Sequence, residues 1–330
     1  MTPLTNLLSL IGRYGTQGFA ISIFLGLALP QFAAAARPLL PITIFVFTMI
    51  TFARVDSGAL RELVRRPAPL ALACAWLVAA PIALVLGVIA VVGRGTMDPG
   101  LLLGLAIMAA APPIMSAGAV ALMLGLQPTL LITAVLVTTL AAPLVSPLIA
   151  EFVAGGAVPL DLTVLIWRLV IFIGGALVAA MALRWWLGEA RIRAHKGSFD
   201  GLGVVMYFLF AIAAMDGVLA AMIATPGRVA GFLAVAFAMS FAGFLAAELA
   251  LRALPRSDRF VLGYATGQRN MGLLIAALGA ATPDTTFLYF ALAQFPIYLM
   301  PQLVKPIANR LRAATTGGEA SPTPGAHGGR

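Results

Sequence analysis

Charged residues are scarce in this chain, and that scarcity excludes most classes of soluble protein. Only 10% of the 330 residues are charged and 61% are hydrophobic, whereas soluble domains carry about 25% charged and about 45–50% apolar residues. The single cysteine, Cys74, excludes an intrachain disulfide and a thiolate metal site. The two histidines, His195 and His327, lie in polar stretches, and no nucleotide, dinucleotide or zinc motif is present. We therefore predict an all-α membrane protein without a cofactor.

Ten apolar segments are long enough to cross a membrane, because a helix spans roughly 30 Å of hydrocarbon with about 20 apolar residues. They cover approximately residues 17–35, 38–54, 68–92, 101–124, 129–153, 160–187, 203–224, 228–253, 260–282 and 286–309. Residues 1–16 carry leucines at helical spacing between Thr5 and Ile11, which predicts an interfacial segment. That stretch lacks the basic start and cleavage site of a secretory signal. The tail, 313–330, is rich in Gly, Pro, Ser and Thr and is predicted to be disordered.

The basic residues are distributed very unevenly between the two sides of these spans. Sixteen of the 21 Lys and Arg residues fall in loops on one side and three on the other, Arg37, Arg94 and Arg228. Cytoplasmic loops are the ones enriched in Lys and Arg, so we predict a cytoplasmic (inner) membrane protein with both termini in the cytoplasm. The net charge of +9 then reflects topology and contact with lipid headgroups, and we exclude a nucleic-acid partner.

The ten spans divide into two sets of five, residues 17–153 and 160–312. Because five is odd, the second set crosses the membrane in the opposite sense. Interruptions occur at matching places: Pro112 in span four and Gly267 in span nine are 155 residues apart. Spans interrupted by Gly or Pro at matching positions of inverted halves point to the midplane binding site of a secondary transporter.

Span four is interrupted by two consecutive prolines, Pro112 and Pro113. Proline lacks an N–H and disfavours helical geometry at the residue before it. The carbonyls that are freed need a partner helix or a water-lined cavity, because lipid offers no donors. A merely kinked packing helix is the alternative interpretation. Ser116, just after the prolines, is a candidate for orienting a ligand.

Span nine carries four adjacent polar side chains, Thr266, Gln268, Arg269 and Asn270, around Gly267. An arginine at the centre of a span costs about 2.5–3.5 kcal/mol on insertion scales, so it is a functional candidate. Its fork can bind a carboxylate through two hydrogen bonds, and the positive end of the following half-helix adds attraction. The alternative is that Arg269 only pins unwound backbone by bonding to carbonyls.

The run from Thr266 to Leu273 resembles the crossover motif of the bile acid:sodium symporter superfamily. The loop Leu254–Arg259, Leu40-Pro41, the Arg65-Arg66-Pro67 run and Pro112 resemble that family too. The resemblance implies ten transmembrane helices in two inverted repeats, arranged as a panel and a core domain, with helices 4 and 9 discontinuous and crossing. It also implies transport of an organic anion by alternating access.

The chain departs from the family at the positions that coordinate sodium. Ala265 stands where the family has glutamate, Arg269 where it has glutamine, Ala117 and Gly118 where it has Ser-Asn, and Trp76 where it has glutamine. Hard cations need several oxygen ligands, which these side chains lack. We therefore hypothesise that the carrier is not coupled to sodium in the usual way, and that Arg269 supplies the positive charge permanently. Proton symport, uncoupled transport and sodium binding by backbone carbonyls stay open.

Three further charged residues lie inside predicted spans, away from the residues at their very ends. Asp216 in span seven is a candidate proton carrier or counter-ion of Arg269; a neutral carboxyl bonded to a neighbouring helix is the alternative. Glu248 is expected to pair with Arg252 one turn later. Arg168 is expected to extend to the outer interface, as long basic side chains do.

Uncharged polar residues in spans five and ten complete the candidate site. Thr133 and Thr139 in span five, together with Thr266, are candidates for the coupling ion, although threonines often bond to their own helix backbone. Gln294, Tyr298 and Gln302 recur every four residues and so share one face of span ten, as a cavity wall or a polar helix contact requires.

These features predict a secondary transporter of small organic anions, with H⁺ or Na⁺ as a possible coupling ion. Arg269 would bind the anionic group, with Asn270, Ser116 and backbone amides orienting it. An intramembrane lipid-modifying enzyme is the second class, but only Asp216 and Glu248 offer carboxylates away from the ends of the spans, so we predict no enzymatic activity. A receptor that binds the anion without moving it is the third.

Overall fold

The structure is a computed structural model that describes residues 15–55, 58, 67–126, 128–156 and 159–317. Within these residues the chain forms helices and short 3₁₀ turns, with one isolated β-bridge. The helices are α1 (Gly15–Ala28), α2 (Pro30–Ala36), α3 (Leu40–Ala53), α4 (Pro67–Val92), α5 (Pro99–Ala110), α6 (Ala117–Met123), α7 (Thr129–Ala154), α8 (Leu162–Leu187), α9 (Glu189–Ala194), α10 (Lys196–Ala214), α11 (Val218–Ala224), α12 (Pro226–Ala250), α13 (Arg256–Gly267), α14 (Met271–Leu278) and α15 (Asp284–Gly317).

The protein is an all-α, membrane-embedded protein by the length and composition of its helices. Seven helical segments in the described part of the chain are long and apolar enough to cross a membrane. They are Pro30–Ala53, Pro67–Val92, Thr129–Ala154, Leu162–Leu187, Lys196–Ala224, Pro226–Ala250 and Asp284–Leu311. Two shorter apolar helices, Pro99–Ala110 and Met271–Ala281, occur within predicted spans four and nine.

The predicted terminal segments are only partly covered by the described residues. The interfacial helix expected between Thr5 and Ile11 lies outside them. The tail expected to be disordered from residue 313 begins instead as the last turn of α15, which runs to Gly317. Residues 318–330 lie outside the described residues.

Local signals account for many helix ends. The Asp98 carboxylate accepts from the amides of Gly100 and Leu101 at the start of α5, and Asp161 caps α8 in the same way through Val164. Such caps satisfy amides that have no partner in the first turn. α7 ends where Gly155 adopts a left-handed conformation, with φ of 58°, which glycine reaches without steric cost.

Three arginines bind the free carbonyls at helix C-termini. Arg94 donates to the last two carbonyls of α7 at 2.9 and 2.8 Å. Arg168 donates to the last two carbonyls of α14 at 3.0 and 3.1 Å, and its extension to the outer interface stays a prediction. Arg184 donates to the carbonyls of Ala53 and Val55 at the end of α3. Each cation thus lies at the negative end of a helix.

The helices pack as two groups. The smaller group comprises α1, α2, α3, α8 and α10, in which α10 packs on α1, α2 and α3, and α8 packs on α3. The larger group comprises α4, α5, α7, α12, α13 and α15, together with the short helices α6 and α14 that follow α5 and α13 in the chain. In it α12 packs extensively on α13, α5 on α7 and α4 on α7. The groups meet where α7 packs on α8, α14 on α3 and α8, and α15 on α1 and α10.

Helix α15 forms the centre of the larger group. Of the residues in its apolar stretch, 78% are buried inside the protein, whereas in most of the other long helices about a third of the residues in the corresponding stretch are buried. Packing against α5 is close: a Cβ on Gly104 would lie 2.7 Å from the ring of Tyr289, and the Tyr289 hydroxyl donates to the Met108 sulfur at 3.2 Å. This packing holds α5 in position for the site described below.

Candidate functional site

Two interrupted helices cross at the centre of the protein. One gap separates α5 from α6 and the other separates α13 from α14, and the two linkers pair as an antiparallel bridge between Pro113 and Arg269. The Asn270 amide donates to the Pro112 carbonyl, and the Ile114 amide donates to the Gln268 carbonyl, each at 2.8 Å. The interruptions predicted at Pro112-Pro113 and after Gly267 are therefore present, and they meet.

The local sequence explains why both helices stop here. Ala111 precedes Pro112 and adopts an extended conformation, with ψ of 141°, as residues before proline do. Gly267 permits close packing of α13 on α12, since a Cβ on it would lie 2.6 Å from the Ser240 Cα. A Cβ on Gly243 would lie 2.7 Å from the Gly267 nitrogen. The Gly263 and Gly267 spacing therefore serves helix packing, as small residues do in membranes.

Carbonyls freed by the interruptions have hydrogen-bond partners. The Ser146 hydroxyl of α7 donates to the Ala110 carbonyl at 2.7 Å, and one terminal nitrogen of Arg269 donates to the Ala111 carbonyl. The Ser240 hydroxyl of α12 lies 3.5 Å from the Gly267 carbonyl. The sequence analysis predicted a role for neither serine. The signal that could have identified them is a serine inside an otherwise apolar span.

Replacing Ser146 with Ala is expected to lower stability by about 1–3 kcal/mol, the cost of leaving a buried carbonyl unsatisfied. Ser240→Ala is the matched variant. The Ser240 hydroxyl donates chiefly to the Ala236 carbonyl of its own helix, 3.1 Å away. The loss of stability in Ser240→Ala is therefore expected to be smaller than in Ser146→Ala. Thermal unfolding of both variants in detergent measures the difference, and an equal or larger loss in Ser240→Ala would contradict this assignment.

Arg269 is buried at the crossing with most of its donors free. Its residue is only 3% exposed. Beyond the bond from Nη2 to the Ala111 carbonyl, the buried Nε and Nη1 have no hydrogen-bond partner among the described residues. Backbone pinning, the alternative interpretation, therefore accounts for one nitrogen of three among the described contacts.

An aromatic cavity lies between the two helix groups beside the crossing. Together with its open mouth it holds about 480 Å³ of space. The larger group contributes four predicted residues to its wall, Arg269, Asn270, Gln294 and Tyr298. The smaller group contributes residues that were not predicted: Thr43, Phe47, Thr48, Tyr207 and Phe210. The sequences of the spans that carry these residues contain no local feature that distinguishes a cavity wall from a helix contact.

A second cavity lies on the other side of Arg269, within the larger group. It encloses about 240 Å³ and is lined by α4, α5 and α7, including Pro112, Thr138 and Ser146. Arg269 therefore borders both cavities. Among the described residues, neither cavity is lined by an acidic residue or by a second basic one.

The remaining predicted substrate residues lie at the crossing but not on the wall of the aromatic cavity. Ser116 is buried and interacts with Tyr207. Pro113 and Gly267 contribute backbone only. Gln268 is fully buried, and both polar atoms of its side chain lack a partner among the described residues. Gln302, the third member of the predicted stripe, is exposed.

Two of the three threonines considered for a coupling ion use their hydroxyls in other contacts. Thr133 donates to the Thr129 carbonyl at 3.0 Å. Thr266 donates to Leu262 at 2.7 Å and accepts from the Trp76 indole at 2.9 Å. The Thr139 hydroxyl is buried without a partner in the described part of the chain. Acidic, cysteine or histidine residues do not cluster into a metal site within the residues that were described.

Two predicted charge pairs were wrong. Asp216 pairs with Arg37 at 2.9 Å, not with Arg269, and lies between α10 and α11 beside Gly217, whose φ is 74°. The same Arg37 guanidinium lies over the Phe287 ring, 4.2 Å from its centroid. Glu248 pairs with Arg259 at 3.6 Å rather than with Arg252, which is exposed.

Comparison with known proteins assigns no family to this geometry. The chain matches no model of a protein family and no curated protein. Function is therefore argued below from the crossing, the cavity and their charges.

Proposed function

We propose that the protein is a secondary transporter of small organic anions that works by alternating access. The observation that carries the proposal is the buried Arg269, which borders the cavity between the two helix groups and whose Nε and Nη1 have no hydrogen-bond partner among the described residues. A guanidinium fork matches carboxylate or sulfonate oxygens. Discontinuous helices at mid-depth are the usual setting of a transporter's substrate site.

We propose ten membrane crossings in two inverted repeats of five, with both termini in the cytoplasm. The smaller group would be the panel domain and the larger group the core domain of a bile acid:sodium symporter-like fold. Helix packing supports this layout, because corresponding pairs recur in the two halves. α4 packs on α7 as α12 packs on α15, and α3 packs on α8 as α10 packs on α1.

Movement of one group against the other would expose the aromatic cavity to each side in turn. The cavity wall is shared between the groups, so a change in their relative position changes access to Arg269. Asn270 lines the cavity at the N-terminus of α14, where the helix dipole favours an anion. We assign to Asn270 and Gln294 the orientation of the bound group.

Independence from sodium is part of the proposal. The carbonyls of Ala110, Ala111 and Gly267 have serine or arginine partners, so they are poorly placed to bind sodium in place of side chains. Trp76 and Thr266 bond to each other. The carboxylate of Asp216 is paired with Arg37, which argues against a role for it as the counter-ion of Arg269 or as a proton carrier.

Benzenesulfonate is a suitable probe of this function, since its sulfonate stays ionised and its ring suits the aromatic wall. Saturable uptake into proteoliposomes that contain the protein, above that of protein-free vesicles, is the expected result. A receptor would bind the probe without uptake. A membrane enzyme would convert a substrate, yet the cavity offers no carboxylate or imidazole for acid–base catalysis.

Replacing Na⁺ with choline is expected to leave the Kd of benzenesulfonate unchanged within about twofold, because a fixed guanidinium already supplies the positive charge. Isothermal titration in detergent measures this directly. A tenfold weaker Kd in choline would refute sodium independence while leaving anion binding intact.

A further inference from the structure

The crossing carries one uncompensated positive charge. Arg269 has no ion-pair partner in the described part of the chain, and the cavities on its two sides have no acidic lining residue. The ion pairs among described residues lie elsewhere: Arg37–Asp216, Arg54–Asp200, Arg184–Glu189, Arg193–Glu189 and Arg259–Glu248.

Helix dipoles at the crossing do not remove this charge. Two C-termini, those of α5 and α13, and two N-termini, those of α6 and α14, meet there. Their partial charges are of opposite sign and of similar size, so they largely cancel. The site without ligand is therefore positive by about one charge, and with a bound monovalent anion it is neutral.

This charge affects the two halves of a transport cycle differently. Alternating access passes through a state in which the site is closed to water on both sides. A buried charge without a partner is strongly unfavourable, whereas a hydrogen-bonded pair is tolerated. The loaded carrier can therefore change conformation more readily than the empty one.

We propose that the protein is an electroneutral exchanger of monovalent organic anions. One anion would be carried inward and another outward, and the empty form would return slowly. This inference rests on the proposed transport function and adds its mode and the charge of its substrates. Dianions such as succinate would be poor partners, since one guanidinium leaves them with an unpaired negative charge.

The experiment compares uptake of labelled benzenesulfonate into two kinds of proteoliposome. One kind is preloaded with unlabelled benzenesulfonate and the other with potassium sulfate, whose anion is divalent. Preloaded vesicles are expected to take up label at least tenfold faster at early times. An inside-negative potential set with potassium and valinomycin is expected to leave the preloaded rate unchanged.

The outcomes separate this inference from the proposed function. Equal uptake by both kinds of vesicle, or preloaded uptake that slows when the interior is made negative, would overturn exchange while leaving anion transport in place. Uptake no greater than in protein-free vesicles under either condition would overturn both. Preloading with unlabelled succinate extends the test: stimulation equal to that by benzenesulfonate would contradict the preference for monovalent anions.

Discussion

Arg269→Gln is expected to weaken benzenesulfonate binding by roughly 30-fold to several thousand-fold. Removing one member of a buried, hydrogen-bonded charge pair costs about 2–5 kcal/mol, and each 1.4 kcal/mol is tenfold in affinity. Glutamine keeps an amide that can donate to the Ala111 carbonyl, so the crossing itself should persist. Isothermal titration of the purified variant measures the loss, and its thermal unfolding verifies that it is folded.

Arg168→Gln is the matched control. Arg168 also donates a guanidinium to helix carbonyls, but it lines neither cavity. We expect its affinity for benzenesulfonate to stay within about twofold of the parent protein. The affinity of Arg269→Lys should lie between those of Arg269→Gln and Arg168→Gln, because lysine keeps the positive charge but cannot form the two parallel hydrogen bonds of a guanidinium. Equal affinity in Arg269→Gln and the parent would refute the assignment of the binding site.

Gly243→Ala is expected to cause the largest loss of stability, about 1–3 kcal/mol or more. The added methyl would lie 2.7 Å from the backbone nitrogen of Gly267, and backbone cannot move aside as the end of a side chain can. Overpacking of this kind forces neighbouring elements apart. Because Gly267 ends α13, separation of α12 from α13 should also disturb the crossing.

A second glycine of α12 provides the control. Gly231 has no atom within 4 Å of an added Cβ, so Gly231→Ala should be neutral or stabilising by about 0.5–1 kcal/mol, the helical preference for alanine. Thermal unfolding in detergent compares the pair. Similar melting temperatures for the two variants would show that the α12–α13 contact is looser than described.

The crossing could be predicted from sequence because its causes are local. Pro112 and Pro113 end a helix wherever they occur, and the polar run around Gly267 cannot continue as a lipid-facing helix. The common offset between the two places indicated a shared binding site, and the family resemblance implied that the two helices cross. Of the four predicted residues on the cavity wall, Arg269 and Asn270 followed from the polar run, and Gln294 and Tyr298 from their shared face of span ten.

The partners of charged residues could not be predicted, because they depend on tertiary packing. Asp216 and Arg37 are 179 positions apart in the sequence, and only the packing of α10 beside α3 brings them together. Glu248 had a plausible partner one turn away in Arg252, yet it pairs with Arg259 on the next helix. Local spacing shows which pairs are possible, and packing selects among them.

Among the described residues, the contacts of Arg37 and Arg168 join the two helix groups at one end. Arg184 binds the end of α3, where Arg54 pairs with Asp200. Arg168 lies 16 residues earlier on α8, about 24 Å away at 1.5 Å per residue, toward the end where Arg37 covers Phe287. Both contacts join the smaller group to the larger.

At the opposite end, the described ion pairs each stay within one group. Separating the groups at the Arg37 end therefore means breaking a cation–π contact and releasing a helix cap, whereas no ion pair between the groups occurs at the other end among the described residues. These contacts favour the conformation in which the groups are closed at the Arg37 end. Binding of an anion would have to outweigh them before the groups could separate there.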